Sequence, residues 1–335
     1  GTVTAVLGAD SFEITTLRRD VATDGRHAEV AFTDDWREDA ARRDFTMNAL
    51  SADIDGNVYD YFGGLEDLRA GRVVCVGDPE QRFAEDYLRI LRFFRFHSVY
   101  GAETAYDVPA LDAAIRLRGN LVKLSGERLR QETLKILASR QGPLVWADMA
   151  SVGISTTYLP EALWVERLAA VAIAESESPH LAADPIRRLA AVLIADAEPG
   201  RPTVAERLRL SGAERDRLDV LMRKNPGRHL FSDNVVRRTL YAHGRDLTLD
   251  LLALAFDDAP WKAAFSEAIG LAVRLDRPTF PLAGRDVVAL GLTPGPEIGR
   301  LLKAVERWWI EADFAPDRDA CLARLEALAG NAGPA

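Results

Sequence analysis

Asp78-Pro79-Glu80-Gln81-Arg82-Phe83-Ala84-Glu85-Asp86-Tyr87-Leu88-Arg89-Ile90-Leu91-Arg92-Phe93-Phe94-Arg95-Phe96 divides this chain. Strand signals precede it, and helical patterning follows it almost throughout. The stretch itself reads as one helix. Asp78 can cap it, Pro79 suits its first position, and Gln81 stands where a capping box wants its reciprocal acceptor. Asp86 and Arg89, three residues apart, are surface neighbours on such a helix. A carboxylate beside a guanidinium fork can read the pairing edge of a base: it takes the amino hydrogen of cytosine or adenine, gives to the ring nitrogen, and rejects uracil and guanine. The plainer reading is a surface ion pair contributing about 0.2–0.5 kcal/mol. Each i+3 step drifts about 60° around a helix, so Arg95 would lie nearly opposite Asp86. Arg92 and Arg95 then suit phosphates or neighbouring elements better than the same base.

Before this stretch, Thr2–Leu7 and Phe12–Leu17 flank Gly8-Ala9-Asp10-Ser11 as a hairpin. Residues 49–54 and 57–61 flank Asp55-Gly56, a second hairpin signal. Arg19 to Asp34, with Asp24-Gly25-Arg26-His27, reads as a mobile loop. After the stretch, Ser125 is placed to cap a helix from Gly126 to Leu137, and Gly142-Pro143 breaks the chain. Further breaks are expected at 198–202 and 276–278. No internal repeat or low-complexity segment is present.

At 335 residues and 48% hydrophobic, the chain can bury a large core in two or more domains. Two cysteines, Cys75 and Cys321, suggest neither a disulfide framework nor a metal knuckle, so a reducing, cytoplasmic setting is expected. No stretch approaches the roughly 20 apolar residues of a membrane helix. The net charge of -9 is uneven: residues 82–140 hold eleven Lys/Arg against seven Asp/Glu. That basic middle suits a polyanion, although solvated helix faces produce similar swings.

Arg42-Arg43-Asp44-Phe45-Thr46-Met47-Asn48-Ala49 sets two guanidiniums before the second hairpin, as a phosphate clamp or as a local salt bridge. Phosphoryl chemistry commonly wants paired carboxylates holding metal ions. Asp53-Ile54-Asp55 has the spacing, but Asp-Gly turn chemistry accounts for it; Asp317-Arg318-Asp319 fails similarly. Glu13 sits mid-strand and faces opposite to Phe12 and Ile14. His27, His97, His180, His229 and His243 show no metal-ligand spacing, and no P-loop occurs.

Taken in order, Phe12-Glu13-Ile14-Thr15-Thr16-Leu17-Arg18, Asp24-Gly25-Arg26-His27, Arg42 to Ala49, Phe62-Gly63-Gly64, Gly77-Asp78-Pro79 and Glu85-Asp86-Tyr87-Leu88-Arg89 resemble the class II tRNA nucleotidyltransferase (CCA-adding enzyme) and bacterial poly(A) polymerase family. The strong match covers about residues 1–140. Leu282-Ala283-Gly284-Arg285-Asp286 and Gly291 to Gly299 resemble the family's C-terminal region less specifically.

The resemblance implies an α+β chain: part of a polymerase-β-like nucleotidyltransferase palm at 1–70, then an all-α neck at 71–145, body at 146–275 and tail at 276–335. It implies transfer of CMP and then AMP from CTP and ATP to a tRNA 3′ end, with Mg²⁺. Arg43 and Asp44 would meet the triphosphate and ribose. Asp86 and Arg89 would read the base, assisted by Arg92 and Arg95. Glu13 would be the third active-site carboxylate, and residues 20–33 the loop behind the change from C to A addition. Arg128, Arg130 and Lys135 would support the template helix or the RNA acceptor end.

The family's GGxVRD turn and DxD metal pair precede the strand that opens here at Gly1, and this chain contains neither. The resemblance therefore implies a truncated or inactive enzyme. A poly(A) polymerase of the same family, a non-catalytic RNA-binding protein and a helical scaffold are the rival readings.

Overall fold

The computed structural model describes residues 2–23, 28–101, 104–194, 202–223, 227–256, 262–290 and 295–330. They form two compact units, Gly1–Ala172 with Ala183–Met222, and Ile173–Ala182 with Arg223–Ala335. Among the described residues, strands occur only near the start, as three separate antiparallel ribbons. The first pairs β1 (Thr2–Leu7) with β2 (Asp10–Thr15), Val3 opposite Ile14 and Ala5 opposite Phe12. Gly8, at φ +64°, supplies the left-handed residue of its turn. The second pairs β3 (Arg18–Thr23) with β4 (Ala28–Phe32). The loop expected over Arg19 to Asp34 is therefore largely a ribbon; Asp24, Gly25, Arg26 and His27 lie outside the described residues. α1 (Trp36–Ala41) follows, capped by the Asp35 carboxylate.

β5 (Ser51–Ala52) and β6 (Val58–Tyr59) make the expected second hairpin, with very short strands. The Asp53 carboxylate accepts from the backbone N–H groups of Asp55 and Asn57, from Asn57 Nδ2 and from Tyr59 Oη. It serves the turn, as the Asp-Gly signal indicates. Phe62-Gly63-Gly64 opens α2 (Gly64–Arg69). A β-carbon on Gly64 would fall inside contact distance of the Thr46 carbonyl, so this approach needs glycine.

The decisive stretch is two helices, not one. α3 (Pro79–Glu85) is capped by Asp78, whose Oδ1 accepts from Gln81 N at 2.8 Å. Asp86 then turns extended, at φ −154° and ψ 105°, and α4 (Leu88–Phe96) begins. The Asp86 side chain accepts from Leu88 N at 3.1 Å, and its carbonyl accepts from Arg89 N at 2.9 Å. Competition from a short carboxylate for nearby backbone N–H groups ends one helix and starts the next. Asp86 and Arg89 are thus not neighbours on one helix face. Leu88, Ile90, Leu91, Phe93 and Phe94 of α4 are buried, packed with Phe45 and Phe83.

A π-turn, His97–Gly101, leads to α5 (Val108–Leu117) and, beyond a 3₁₀ turn, to α6 (Gly126–Ala138). α7 (Gly142–Ser151) starts at the expected Gly-Pro break. α8 (Ile154–Tyr158), α9 (Val165–Glu177), α10 (Pro185–Val192), α11 (Val204–Arg207) and α12 (Gly212–Arg223) continue the helical series. The break expected at 198–202 lies mainly outside the described residues.

In the second unit, α13 (Asp233–Ala255) is interrupted at Gly244, where φ is +78°. With α14 (Lys262–Arg274) it buries Leu251, Leu252, Phe265 and Ile269. α15 (Gly284–Val288), α16 (Pro296–Glu311) and α17 (Arg318–Gly330) enclose Val287, Leu301, Val305, Trp309, Cys321 and Leu325. Asp286 accepts from Ala283 N and binds Arg318, which gives Ala283-Gly284-Arg285-Asp286 a structural role. Residues 291–294 lie outside the described set. Among the described residues, no helix is long and apolar enough to cross a membrane.

Candidate nucleotide pocket

A cavity of about 450 Å³ opens in the first unit beside α4. Its walls carry five arginines, Arg42, Arg43, Arg89, Arg92 and Arg128, against two carboxylates, Asp44 and Asp86. Asn48, Leu88 and Phe96 complete it. An excess of guanidiniums in a concave site focuses positive potential and suits a polyphosphate.

Each charged group has an identifiable support. Arg43-Asp44 follows α1, and backbone pairing of the next residues with 74–76 fixes that segment: Thr46 N donates to Val74 O, and Val76 N to Asp44 O. Asp39, buried in α1, accepts from Arg42 Nε and Nη2 at 2.9 and 2.7 Å and from Arg43 Nη2 at 3.1 Å. Burial alone would raise the Asp39 carboxyl, but hydrogen bonds from Arg42, the Arg18 backbone and Arg43 outweigh it and hold it below the usual carboxylate range. One buried carboxylate thus aims two arginines. Arg43 makes one such bond and keeps its guanidinium half exposed to the cavity.

Asp44 is buried. Its Oδ1 accepts from Phe45 N at 3.0 Å and Asn48 Nδ2 at 2.9 Å, while Oδ2 accepts from Arg92 Nε at 2.6 Å. It orders the wall and orients Arg92, whose guanidinium also stands 5.3 Å from the centre of the Phe96 ring. Glu85, at the end of α3, plays the same part for Arg89: its Oε2 accepts from Arg82 Nη1 at 2.9 Å and Arg89 Nη1 at 2.5 Å. Arg89 also donates to the carbonyls of Arg82 and Arg42. Asp86 keeps Oδ1 on Leu88 N and places Oδ2 2.6 Å from Arg128 Nη2.

The structure gathers Arg43, Asp44, Asp86, Arg89 and Arg92 at one cavity. Of the other five expected residues, it adds Arg128 to the lining and leaves Arg95, Arg130, Glu13 and Lys135 outside it. Arg95 forms an ion pair with buried Glu132 at 3.0 Å and lies 4.3 Å from the Phe96 ring centre, away from the cavity lining. Burial pulls its pKa down, against the opposing pull of Glu132. Arg130 is bound by both Glu214 oxygens at 2.7 Å, so its guanidinium is committed to α12. Arg128 lines the cavity. Glu13 is exposed on β2 opposite Thr4 and does not line it. Lys135 is exposed on α6.

Asn48 in the lining, and Asp39 and Glu85 behind it, carry no expected role from the sequence; Arg42 is expected with Arg43 as a phosphate clamp or a local salt bridge, and Arg128 as a support of the template helix or the RNA acceptor end. Asn48 and Glu85 lie inside the quoted motifs, at four residues after Asp44 and four before Arg89. The placement of Arg128 depends on tertiary packing that spacing does not encode. Among the described residues, no three His, Cys, Asp or Glu side chains come together to hold a metal ion. These residues alone do not fit the Mg²⁺ that the resemblance implies.

Residues 1–74 match the family model described as the poly(A) polymerase head domain. Along nearly its whole length the chain resembles the mitochondrial CCA tRNA nucleotidyltransferase 1 of Danio rerio, 36% identical over 341 residues, covering 97% of this chain and 75% of the relative. The Homo sapiens counterpart is 32% identical over 342 residues, with the same coverage. The chain belongs to the CCA tRNA nucleotidyltransferase family. In fold it resembles a Bacillus stearothermophilus CCA-adding enzyme solved in complex with CTP, at a TM-score of 0.73 and 24% identity, covering 99% of this chain and 82% of that one.

Proposed function

We propose that this pocket selects CTP and ATP for addition of CCA to the 3′ end of tRNA. The reaction is attack of the terminal 3′-hydroxyl on the nucleotide α-phosphate, with pyrophosphate leaving. The observation that carries the reading is the pair Asp86 and Arg89 on the wall of an arginine-rich cavity, in a chain of this family. Asp86 has acceptor lone pairs left for an exocyclic amino group, and Arg89 has donors left for a ring nitrogen. Arg43, the half-exposed guanidinium, binds the triphosphate. Arg92, aimed by Asp44, completes the phosphate side.

Mg²⁺ supplies charge neutralisation at the reacting phosphates in such chemistry. Among the described residues, no cluster of His, Cys, Asp or Glu side chains stands ready to hold it. Glu13 is the carboxylate that the resemblance would bring to that centre. Lys135, exposed on α6, is the candidate for backbone contact with RNA. The head, neck, body and tail division at residues 70, 145 and 275 belongs to the same reading.

Calorimetric titration of the chain with each of the four nucleoside triphosphates tests it. CTP and ATP should bind more tightly than UTP and GTP, and Asp86→Ala should erase that preference while sparing pyrophosphate affinity. Binding of ATP alone would shift the reading to poly(A) addition. Equal affinity for all four would remove the base-reading role.

A further inference from the structure

We propose that a second cavity of the first unit, between α1 and the β5–β6 hairpin, is an aromatic cage for a quaternary ammonium group. The cavity holds about 290 Å³ and is lined by Trp36, Ser51, Ala52, Asp53, Tyr59 and Tyr61. It shares no residue with the lining of the nucleotide pocket. Ser51 pairs with Tyr59 across the hairpin, so period-two alternation brings Asp53 and Tyr61 to the same face. Trp36 meets that face from the first position of α1. Tyr61 packs against the buried cluster of Ala40, Ala49 and Val76 and makes a fixed wall. Tyr59 is tethered by its hydroxyl, which donates to Asp53 Oδ2 at 3.1 Å. The Trp36 indole is 53% exposed and Tyr59 46%, so both rings have apolar surface to cover.

Charge decides what the cage takes. Positions 33–41 and 51–61 hold seven carboxylates against one base, Arg37. Glu38 and Asp39 are met by Arg19, Arg42 and Arg43. Asp35, Asp53 and Asp60 accept instead from backbone, amide and phenol donors, which leave their negative charge in place. Hydrogen bonds from Asn57, Tyr59 and the Asp55 backbone hold the Asp53 carboxyl below the usual carboxylate range, so it stays ionised at neutral pH. Such a surface repels a phosphate backbone and draws in a cation.

Hydrogen bonding then selects among cations. A carboxylate oxygen has about two acceptor positions. Asp53 Oδ1 takes the N–H groups of Asp55 and Asn57, and Oδ2 takes Asn57 Nδ2 and Tyr59 Oη. The carboxylate is full: it offers charge without a free lone pair. A primary ammonium entering the cage would give up hydrogen bonds to water and find no replacement at Asp53. A quaternary ammonium has no N–H to satisfy. Its methyl surface packs on the rings, and its charge is met by their π faces and by Asp53. A small molecule such as choline and a trimethylated lysine side chain present this same group.

Ligand-observed proton NMR with the whole chain tests the proposal. The probes are choline, its neutral tert-butyl isostere, Nε-trimethyl-lysine, lysine and cytidine. Choline should bind about fivefold more tightly than the isostere, the scale of one cation–π contact, and its N-methyl protons should shift upfield beneath the rings. Trp36→Leu should abolish that shift, and Trp36→Phe should keep part of it, which separates loss of the π face from loss of the fold. Nε-trimethyl-lysine should bind and lysine should not. Trimethyl-lysine tighter than choline points to a modified protein as the source, and the reverse order to a free small molecule. Equal affinity for choline and the isostere overturns the proposal, as does lysine binding as well as its trimethyl form. Choline binding that survives Trp36→Leu unchanged also overturns it. Cytidine binding that Trp36→Leu abolishes would replace the cation with a stacked base.

Discussion

The pocket wall and the β1–β2 ribbon are separated by a few dozen residues of sequence and are built on opposite plans. At the wall every functional charge is held by another. Asp39 aims Arg42 and Arg43, Asp44 aims Arg92, Glu85 aims Arg89, and Arg128 aims Asp86. On the ribbon, Glu13 has only its backbone register, and Val3, Phe12 and Ile14 are each more than half exposed. The difference separates two ways of placing a side chain. Preorganised polar groups cost nothing further to orient when a ligand arrives, whereas a residue on an uncovered ribbon takes its position from whatever packs against that ribbon.

The largest effect expected from breaking this contrast is at Asp44. Asp44→Ala removes the acceptor for Arg92, Asn48 and Phe45 N together, and should cost about 2–4 kcal/mol, since Arg92 keeps partial access to water. Denaturant unfolding measures it. Asp44→Asn retains an oxygen for Phe45 N and should cost clearly less. A loss as small as that of a surface residue would mean that the wall is not preorganised.

Next is Gly64→Ala, where the added methyl meets the Thr46 carbonyl behind the wall; overpacking of about 1–3 kcal/mol is expected. A smaller term comes from His97, in the π-turn after α4. It is buried and stacked on Tyr106 at 3.8 Å. Burial lowers its pKa below the ordinary 6.5, with Asp148 opposing. The folded state therefore takes up a proton less readily than the unfolded chain. Stability should be full above the unfolded value and decline as pH falls below it. Thermal melts at about pH 7.5 and about pH 5.5 should show that loss, and His97→Gln should flatten it.

How much of this was legible in the sequence depends on the range of the interaction. The α3 cap is local chemistry and lies open in Asp78-Pro79-Glu80-Gln81. The Asp55-Gly56 hairpin is equally local. The residues of the pocket were legible as a family pattern, because Arg43-Asp44 and Asp86…Arg89 occur within it in order. What hid was the break at Asp86. Helical periodicity runs straight through it, since Phe83 and the apolar residues of α4 keep a helix-like spacing. The extended backbone arises where the Asp86 carboxylate captures Leu88 N and where Arg128 draws the side chain toward α6. The particular partners of Arg128 and Arg95 were hidden for the same reason: Asp86 and Glu132 lie about 40 residues away, beyond any local pattern. β3 and β4 were missed because a polar, Gly-containing stretch has the composition of a loop, and ladder hydrogen bonds do not need an apolar face.

The smallest expected effect tests the other side of the contrast. Ile14 is 61% exposed, paired across the ribbon with Val3, which is 66% exposed. In the chain as it stands, Ile14→Thr exchanges an apolar side chain already in water for another β-branched one that keeps the strand preference. Unfolding free energy should move by no more than about 0.5 kcal/mol, the range for surface substitutions away from special features. The paired measurement is Asp44→Ala in the same background, where residues far apart should give additive losses. If Ile14→Thr instead costs as much as a buried large-to-small change, about 2 kcal/mol or more, the ribbon's apolar face is covered in solution. Glu13, whose strand that cover would fix, would then join the preorganised residues, and the contrast between ribbon and wall would disappear.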